Sequence, residues 1–141
     1  MKNKNVQEYK KNEINTAGRL KLVVMMYDGL ISQLYECKNK TQQGDVAGRG
    51  MSISKAQRIL NELQESLNRV EGGEVAKNLE NLYKYITATL TRVNIEGDAA
   101  SSVDHSINIL ETLRNAWREV IANSPKGNEQ DPPSRRLTLE M

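Results

Sequence analysis

The segment from Leu20 to Leu34 carries apolar residues at the spacing of an amphipathic helix. They recur at i, i+3 or i+4 and i+7, which places them on one face at about 100° per residue. This face consists of Leu20, Val23, Val24, Tyr27, Leu30, Ile31 and Leu34. Because such a face packs against neighbouring helices, we expect it to form the core of a helical bundle.

The same segment has a second apolar stripe on its opposite side, formed by Leu22, Met25, Met26 and Gly29. A soluble protein covers such a stripe with another part of itself, a second subunit or a ligand. Methionine side chains suit variable apolar ligands, and they also fill gaps in irregular cores. Glycine costs about 1 kcal/mol relative to alanine inside a helix, so Gly29 suggests a close approach to the backbone. The stripe is a candidate partner-binding surface.

The same periodicity predicts four helices at about 17–41, 51–71, 74–95 and 100–122, with Thr16 as the first N-cap. The core residues predicted for the later helices are Ile53, Ala56, Ile59, Leu60, Leu63, Leu67 and Val70, then Val75, Leu79, Leu82, Tyr83, Ile86, Leu90 and Val93, and finally Val103, Ile107, Leu110, Leu113, Trp117, Val120 and Ile121. Short glycine-marked connectors make neighbouring helices antiparallel. The predicted fold is all-α, an antiparallel up-down four-helix bundle over residues 16–123.

The two termini lack this periodicity. Residues 1–15 have scattered apolar positions and are predicted to form an N-terminal arm. Residues 124–141 contain Pro125, Pro132 and Pro133 among charged residues, and we predict a disordered tail there.

Composition narrows the range of partners and compartments. The chain has 141 residues, with 20 Lys and Arg against 18 Asp and Glu. The charges are interspersed along the chain, so we expect no nucleic-acid binding. Cys37 is the only cysteine, which excludes an internal disulfide. There is no apolar run long enough for stable membrane insertion and no apolar signal core near the N-terminus, and we predict a cytoplasmic protein.

Candidate catalytic chemistry is sparse. His105 is the only histidine, and it lies beside Asp104 away from the apolar stripe of its helix. There is no Glu-x-x-His pair for a metal in the bundle, and Gly72-Gly73 lacks the remaining residues of a phosphate loop. We therefore predict that the protein is not an enzyme and has no catalytic, metal or cofactor site. Tyr85 and Ile109 are further apolar residues outside the core faces, which favours a binding module.

Several segments carry a family likeness. In order they are YKKNEINTA (9–17), LVVMMYDGL (22–30), KAQ (55–57), ILNEL (59–63), GGEVAKNL (72–79), LYKYI (82–86) and LxxAWR (113–118). In this order and spacing they closely resemble the FliS family of flagellin export chaperones. The likeness extends from about Val6 to Ile121.

The resemblance implies a cytoplasmic chaperone that binds the disordered C-terminal region of flagellin. Such a protein would prevent premature polymerisation of flagellin and assist its delivery to the flagellar type III export apparatus, whose components are further candidate partners. The predicted flagellin-binding residues are Tyr9, Asn12 and Ile14, which match the family pattern, together with Leu22, Met25, Met26, Gly29, Tyr85 and Ile109. We also hypothesise that the N-terminal arm covers part of the binding groove in the free protein.

An alternative explanation of the second stripe on the first helix is self-association. In that case the protein would be a homodimeric helical protein with a regulatory or structural role. The chaperone hypothesis instead predicts a monomer or a weak dimer.

Overall fold

The computed structural model describes residues 15–68, 73–97 and 100–123. Its helices are α1 (Asn15–Gln42), α2 (Val46–Asn68), α3 (Gly73–Glu96) and α4 (Ala100–Ala122). The described residues contain no strand, and the predicted all-α four-helix bundle is confirmed. The predicted arm up to Ile14 and the predicted tail lie outside the described residues.

Helix α1 is central to the packing, because it has extensive contacts with both α2 and α4. The polar contacts between α1 and α4 join Asp28 to Arg114 and Arg118, Tyr35 to Glu111 and Lys38 to Asp104. Residue numbers rise along α1 as they fall along α4, so these helices run antiparallel. By contrast, α3 packs mainly on α2 and has few contacts with α4.

The predicted core faces point inward. Every core residue predicted for α1 is buried or half-buried, and the same holds for the described residues of the other three faces. Cys37 is completely buried among them. Burial raises the pKa of its thiol, as expected for an inert cysteine that packs as a small apolar residue.

The predicted start of the second helix at residue 51 is wrong, because α2 begins at Val46. Gly44 adopts a left-handed conformation with φ of 73° and ends α1. The carboxylate of Asp45 then accepts a 2.9 Å hydrogen bond from the backbone N–H of Gly48, as an N-cap does. This bond holds the pKa of Asp45 below its usual value. The connector predicted at 44–50 is therefore a tight turn followed by helix.

The other helix bounds differ by smaller amounts. Helix α1 begins at Asn15, two residues before the predicted start, and ends at Gln42, one residue after the predicted end. Helix α3 spans Gly73–Glu96, one residue more at each end than predicted, and α4 has the predicted bounds. The predicted end of the second helix at residue 71 lies outside the described residues.

A buried tyrosine pair connects α1 to α3 across the core. The hydroxyl groups of Tyr27 and Tyr83 lie 2.6 Å apart and share a hydrogen bond, and the rings meet edge to face at 73°. Burial raises the pKa of both phenols, so both remain neutral. The bond links α3 directly to α1. This link adds to the packing of α3 on α2, since α3 has few contacts with α4.

Replacing one tyrosine of this pair should destabilise the bundle more than replacing both. Tyr27→Phe removes one hydroxyl and leaves that of Tyr83 buried without this partner, so we expect the free energy of unfolding to fall by about 1–3 kcal/mol. The double variant Tyr27→Phe/Tyr83→Phe leaves neither hydroxyl and should recover part of the loss. Urea unfolding measures both. Losses that simply add would contradict the coupling.

Candidate partner-binding surfaces

A groove of about 530 Å³ lies between α3 and α4, where these helices have few mutual contacts. Its apolar floor consists of Val75, Leu79, Leu82, Ile109 and Leu113. Its polar lining consists of Asn78, His105, Asn108 and Thr112. None of these described lining residues is Lys, Arg, Asp or Glu, so the groove suits an apolar, uncharged ligand surface.

The second stripe of α1 divides into an exposed part and a packed part. Leu22 and Met25 are 59% and 66% exposed. Met26 is half-buried and packs against the core. Gly29 faces α2, because a Cβ atom at this position would lie 3.4 Å from Cδ1 of Ile59. The close approach to the backbone inferred from Gly29 is therefore made by a side chain of the neighbouring helix.

The predicted binding residues do not all meet in one place. Ile109 is half-buried and lines the α3–α4 groove, whereas Leu22, Met25, Met26 and Gly29 lie on α1 and do not line it. Tyr85 is half exposed on α3 and also lies outside the groove lining. The arm residues Tyr9, Asn12 and Ile14 are outside the described residues, and their role stays a prediction.

Comparison with known proteins decides the family. A sequence model of the family described as "FliS: Flagellar protein FliS" matches residues 1–124. The chain belongs to the FliS family. It is 33% identical over 119 residues to the flagellar secretion chaperone FliS of Salmonella typhimurium, covering 84% of this chain and 85% of that protein. It is 31% identical over 119 residues to the flagellar secretion chaperone FliS of Vibrio cholerae, covering 82% of this chain and 87% of that protein.

A more distant relative also matches over most of its length. The flagellar secretion chaperone FliS of Bacillus subtilis is 26% identical over 118 residues, with 84% of this chain and 86% of that protein covered. The match thus extends over most of both sequences and is not confined to one motif. FliS is a family of flagellar secretion chaperones and is not known as an enzyme family.

Two kinds of feature are absent from the described part of the FliS bundle. Residues 15–68, 73–97 and 100–123 contain no group of three or more His, Cys, Asp or Glu side chains that could hold a metal ion. Within the same residues no helix is long and apolar enough to cross a membrane. His105 is exposed at the groove and belongs to no such group of the described residues.

Sequence reasoning missed most of the groove in this member of the FliS family. Leu79 and Leu82 share the apolar face of α3, and Leu113 that of α4, so their spacing assigned them to the core. That assignment is confirmed for Leu79, which is buried, whereas Leu82 and Leu113 are half-buried beside the groove. Periodicity identifies an apolar face but does not show whether a neighbouring helix covers it. Asn78 and Asn108 were missed as well, since isolated asparagines on a helix surface give no recognisable motif.

The contact between Gly29 and Ile59 leads to a prediction about stability. Gly29→Ala should raise the free energy of unfolding by up to about 1 kcal/mol, because alanine favours the helix and its methyl group would reach Ile59 at ordinary van der Waals distance. Thermal unfolding measures the change. If Gly29 also contacts flagellin, the same substitution should weaken binding, and calorimetry would detect this. A destabilised variant would show that the space beside Ile59 is smaller than the structure indicates.

Proposed function

We propose that this protein is a cytoplasmic flagellar export chaperone that binds the disordered C-terminal region of flagellin. In this role it prevents premature polymerisation of flagellin and assists delivery to the flagellar type III export apparatus. The proposal is carried by the uncharged apolar groove between α3 and α4, found in a chain of the FliS family.

The physical basis of the proposal is competition for apolar surface. A disordered segment becomes ordered when it binds, and this ordering lowers its affinity for a given buried area. The segment must therefore bury many apolar side chains on its chaperone, which makes those side chains inaccessible to other flagellin molecules. The groove floor supplies one such surface, and the exposed part of the α1 stripe, Leu22 and Met25, supplies another.

The remaining predicted residues have a place in this proposal. Met26 and Gly29 flank the exposed part of the α1 stripe, and Tyr85 presents a half-exposed aromatic ring on α3. Tyr9, Asn12 and Ile14 would contribute from the arm, which we propose covers part of the groove until flagellin arrives. If the arm covers the groove, the association constant for flagellin is multiplied by the fraction of molecules in which the groove is free.

Calorimetry with purified monomeric flagellin tests the proposal. Full-length flagellin should bind, and a flagellin variant without its C-terminal region should not. The chaperone should also delay seeded filament growth when it is mixed with full-length flagellin in equimolar amount. Equal affinity for the two flagellins would contradict the proposed binding region.

Light scattering distinguishes the chaperone from the alternative homodimer. A monomer that forms a complex with flagellin supports the chaperone role. A stable dimer that loses its self-association on Met25→Ser and does not bind flagellin would favour self-association through α1 instead.

A further inference from the structure

The C-terminal end of the sequence carries an apolar pattern that no helix of the bundle uses. Residues 137–141 have the sequence LTLEM, in which apolar and polar side chains alternate without a proline. Alternate side chains of an extended backbone point to opposite faces, which would put Leu137, Leu139 and Met141 on one face. We call residues 137–141 the tail segment. It lies outside the described residues and outside the part of the chain that matches the FliS family, residues 1–124.

The tail segment matches the α3–α4 groove in chemistry and in length. The groove floor is apolar, and its described lining has no Lys, Arg, Asp or Glu, so it suits the uncharged face of the tail segment. The α4 side of the lining extends from residue 105 to residue 113, about 12 Å at 1.5 Å rise per residue. The first and last Cα atoms of five extended residues lie about 13 Å apart at 3.3 Å per residue. One tail segment would therefore run along the length of the groove.

The linker between α4 and the tail segment, residues 124–136, is long enough to bring the segment back to the groove. Helix α4 ends at Ala122, and its groove-lining residues lie about 14–26 Å from that end at 1.5 Å per residue. A flexible chain from Ala122 to the tail segment has an r.m.s. length of about 20 Å. Three prolines in the linker favour extended backbone, which keeps the farther end of the groove within reach. Because length and span match, the effective concentration of the tail segment at the groove is on the order of millimolar.

The N-terminal arm matches the groove floor less well. Residues 1–14 contain four lysines and two glutamates, whereas the tail segment has three apolar residues and one charged residue among five. The arm precedes α1, which contributes no described lining residue, whereas the tail follows α4, which forms one wall of the groove. The tail segment therefore suits the apolar floor of the groove, and the arm suits its polar lining.

A tail segment in the groove would compete with flagellin for the same apolar side chains. We propose that residues 137–141 dock in the α3–α4 groove of their own chain and inhibit flagellin binding there until flagellin displaces them. At a millimolar effective concentration, a segment with a dissociation constant of about 0.1–1 mM is docked in roughly half to nine-tenths of the molecules. The association constant for flagellin is multiplied by the remaining free fraction, so it would fall about two- to tenfold. The inhibition rests on the proposed function, whereas the docking does not.

Spin labelling of the full-length protein tests the docking without flagellin. A nitroxide on Thr138→Cys lies on the polar face of the tail segment, and the buried Cys37 is protected from labelling. The NMR signals of Leu82 and Ile109 in the groove should broaden, and that of Leu22 on the α1 stripe should not. Equal broadening of Leu22, or none in the groove, would overturn the inference. So would broadening that occurs only between different molecules, because the segment would then occupy the groove of a second copy.

Substitutions on the two faces of the tail segment test the inhibition. Full-length Leu137→Ser/Leu139→Ser should bind monomeric flagellin about two- to tenfold more tightly in calorimetry, because the groove is then free. The control Thr138→Ser/Glu140→Gln changes the polar face and should bind like the unsubstituted protein. Unchanged or weaker binding by the leucine variant would overturn the inference and leave the proposed function intact. Absence of flagellin binding by every variant would overturn both the proposed function and the inhibition.

Discussion

Leu34→Ala is expected to lower the free energy of unfolding by about 2–5 kcal/mol, because it empties a completely buried site on the central helix. Leu34 is on the face of α1 that packs against the rest of the bundle, and its exposed fraction is 0%. The neighbouring helices can collapse only partly into the space left by three carbon atoms. Urea unfolding, followed by circular dichroism at the helical band, measures the loss.

Leu22→Ala is the matched control for this experiment. It makes the same chemical change on the same helix, at a side chain that is 59% exposed. We expect a change within about 0.5 kcal/mol, as is usual for surface positions. Similar losses for the two variants would mean that Leu22 is covered in the folded protein, and the α1 stripe would then be core.

Ile109→Asp is expected to weaken the proposed binding of flagellin by about 2–4 kcal/mol, or roughly 30- to 1,000-fold. The substitution puts a carboxylate into a groove whose described lining has no Lys or Arg and whose one imidazole, His105, is exposed, so flagellin would have to bury a charge without a strong ionic partner. Calorimetry with monomeric flagellin measures the change, and circular dichroism establishes that the variant is folded.

Ile95→Asp provides the control for the groove variant. Ile95 is on α3, is 79% exposed and does not line the groove. The same chemical change there should leave the affinity for flagellin unaltered. If Ile95→Asp weakens binding as much as Ile109→Asp does, the overall charge of the bundle controls the affinity and the groove does not.

The helical faces of the bundle follow from the sequence because they depend on local spacing. Residues such as Tyr27 and Leu34 recur with the helical period, and a chain with four such faces has few ways to bury them other than a bundle. The periodicity also placed Tyr83 and Trp117 correctly inside. It did not show that the two tyrosine hydroxyls meet, because that contact depends on the relative rotation of α1 and α3.

The start of α2 was predicted wrongly because of the glycines near it. Gly44, Gly48 and Gly50 together indicate a loop, yet only Gly44 has a left-handed backbone among the three. Gly48 is helical, and a Cβ atom there would lie 2.6 Å from an Asp45 carboxylate oxygen, so the capping side chain would have to move. The sequence signal for the true start of α2 was Asp45, an N-cap residue type whose carboxylate binds the N–H of the third residue after it.

The groove could not be predicted because it results from packing between whole helices. Leu82 and Leu113 look like ordinary core residues, and only the small contact between α3 and α4 leaves these half-buried side chains partly open. The neighbour of Gly29 could not be predicted for the same reason. Its position correctly indicated a close neighbour, but the sequence did not show that the neighbour is Ile59.

The contact between the first and last helices has a consequence for how the chain folds during synthesis. Asp28 and Arg114 are 86 positions apart, whereas α1 and α2 are joined by a short turn. Closing so long a loop costs more conformational entropy than forming the local hairpin, so we expect α4 to dock last. At 5–20 residues per second, the ribosome needs roughly 4–16 s to proceed from the end of α1 to the end of α4. During that interval part of the apolar face of α1 is uncovered, so the nascent chaperone itself carries an exposed apolar surface of the kind that it is proposed to shield in flagellin.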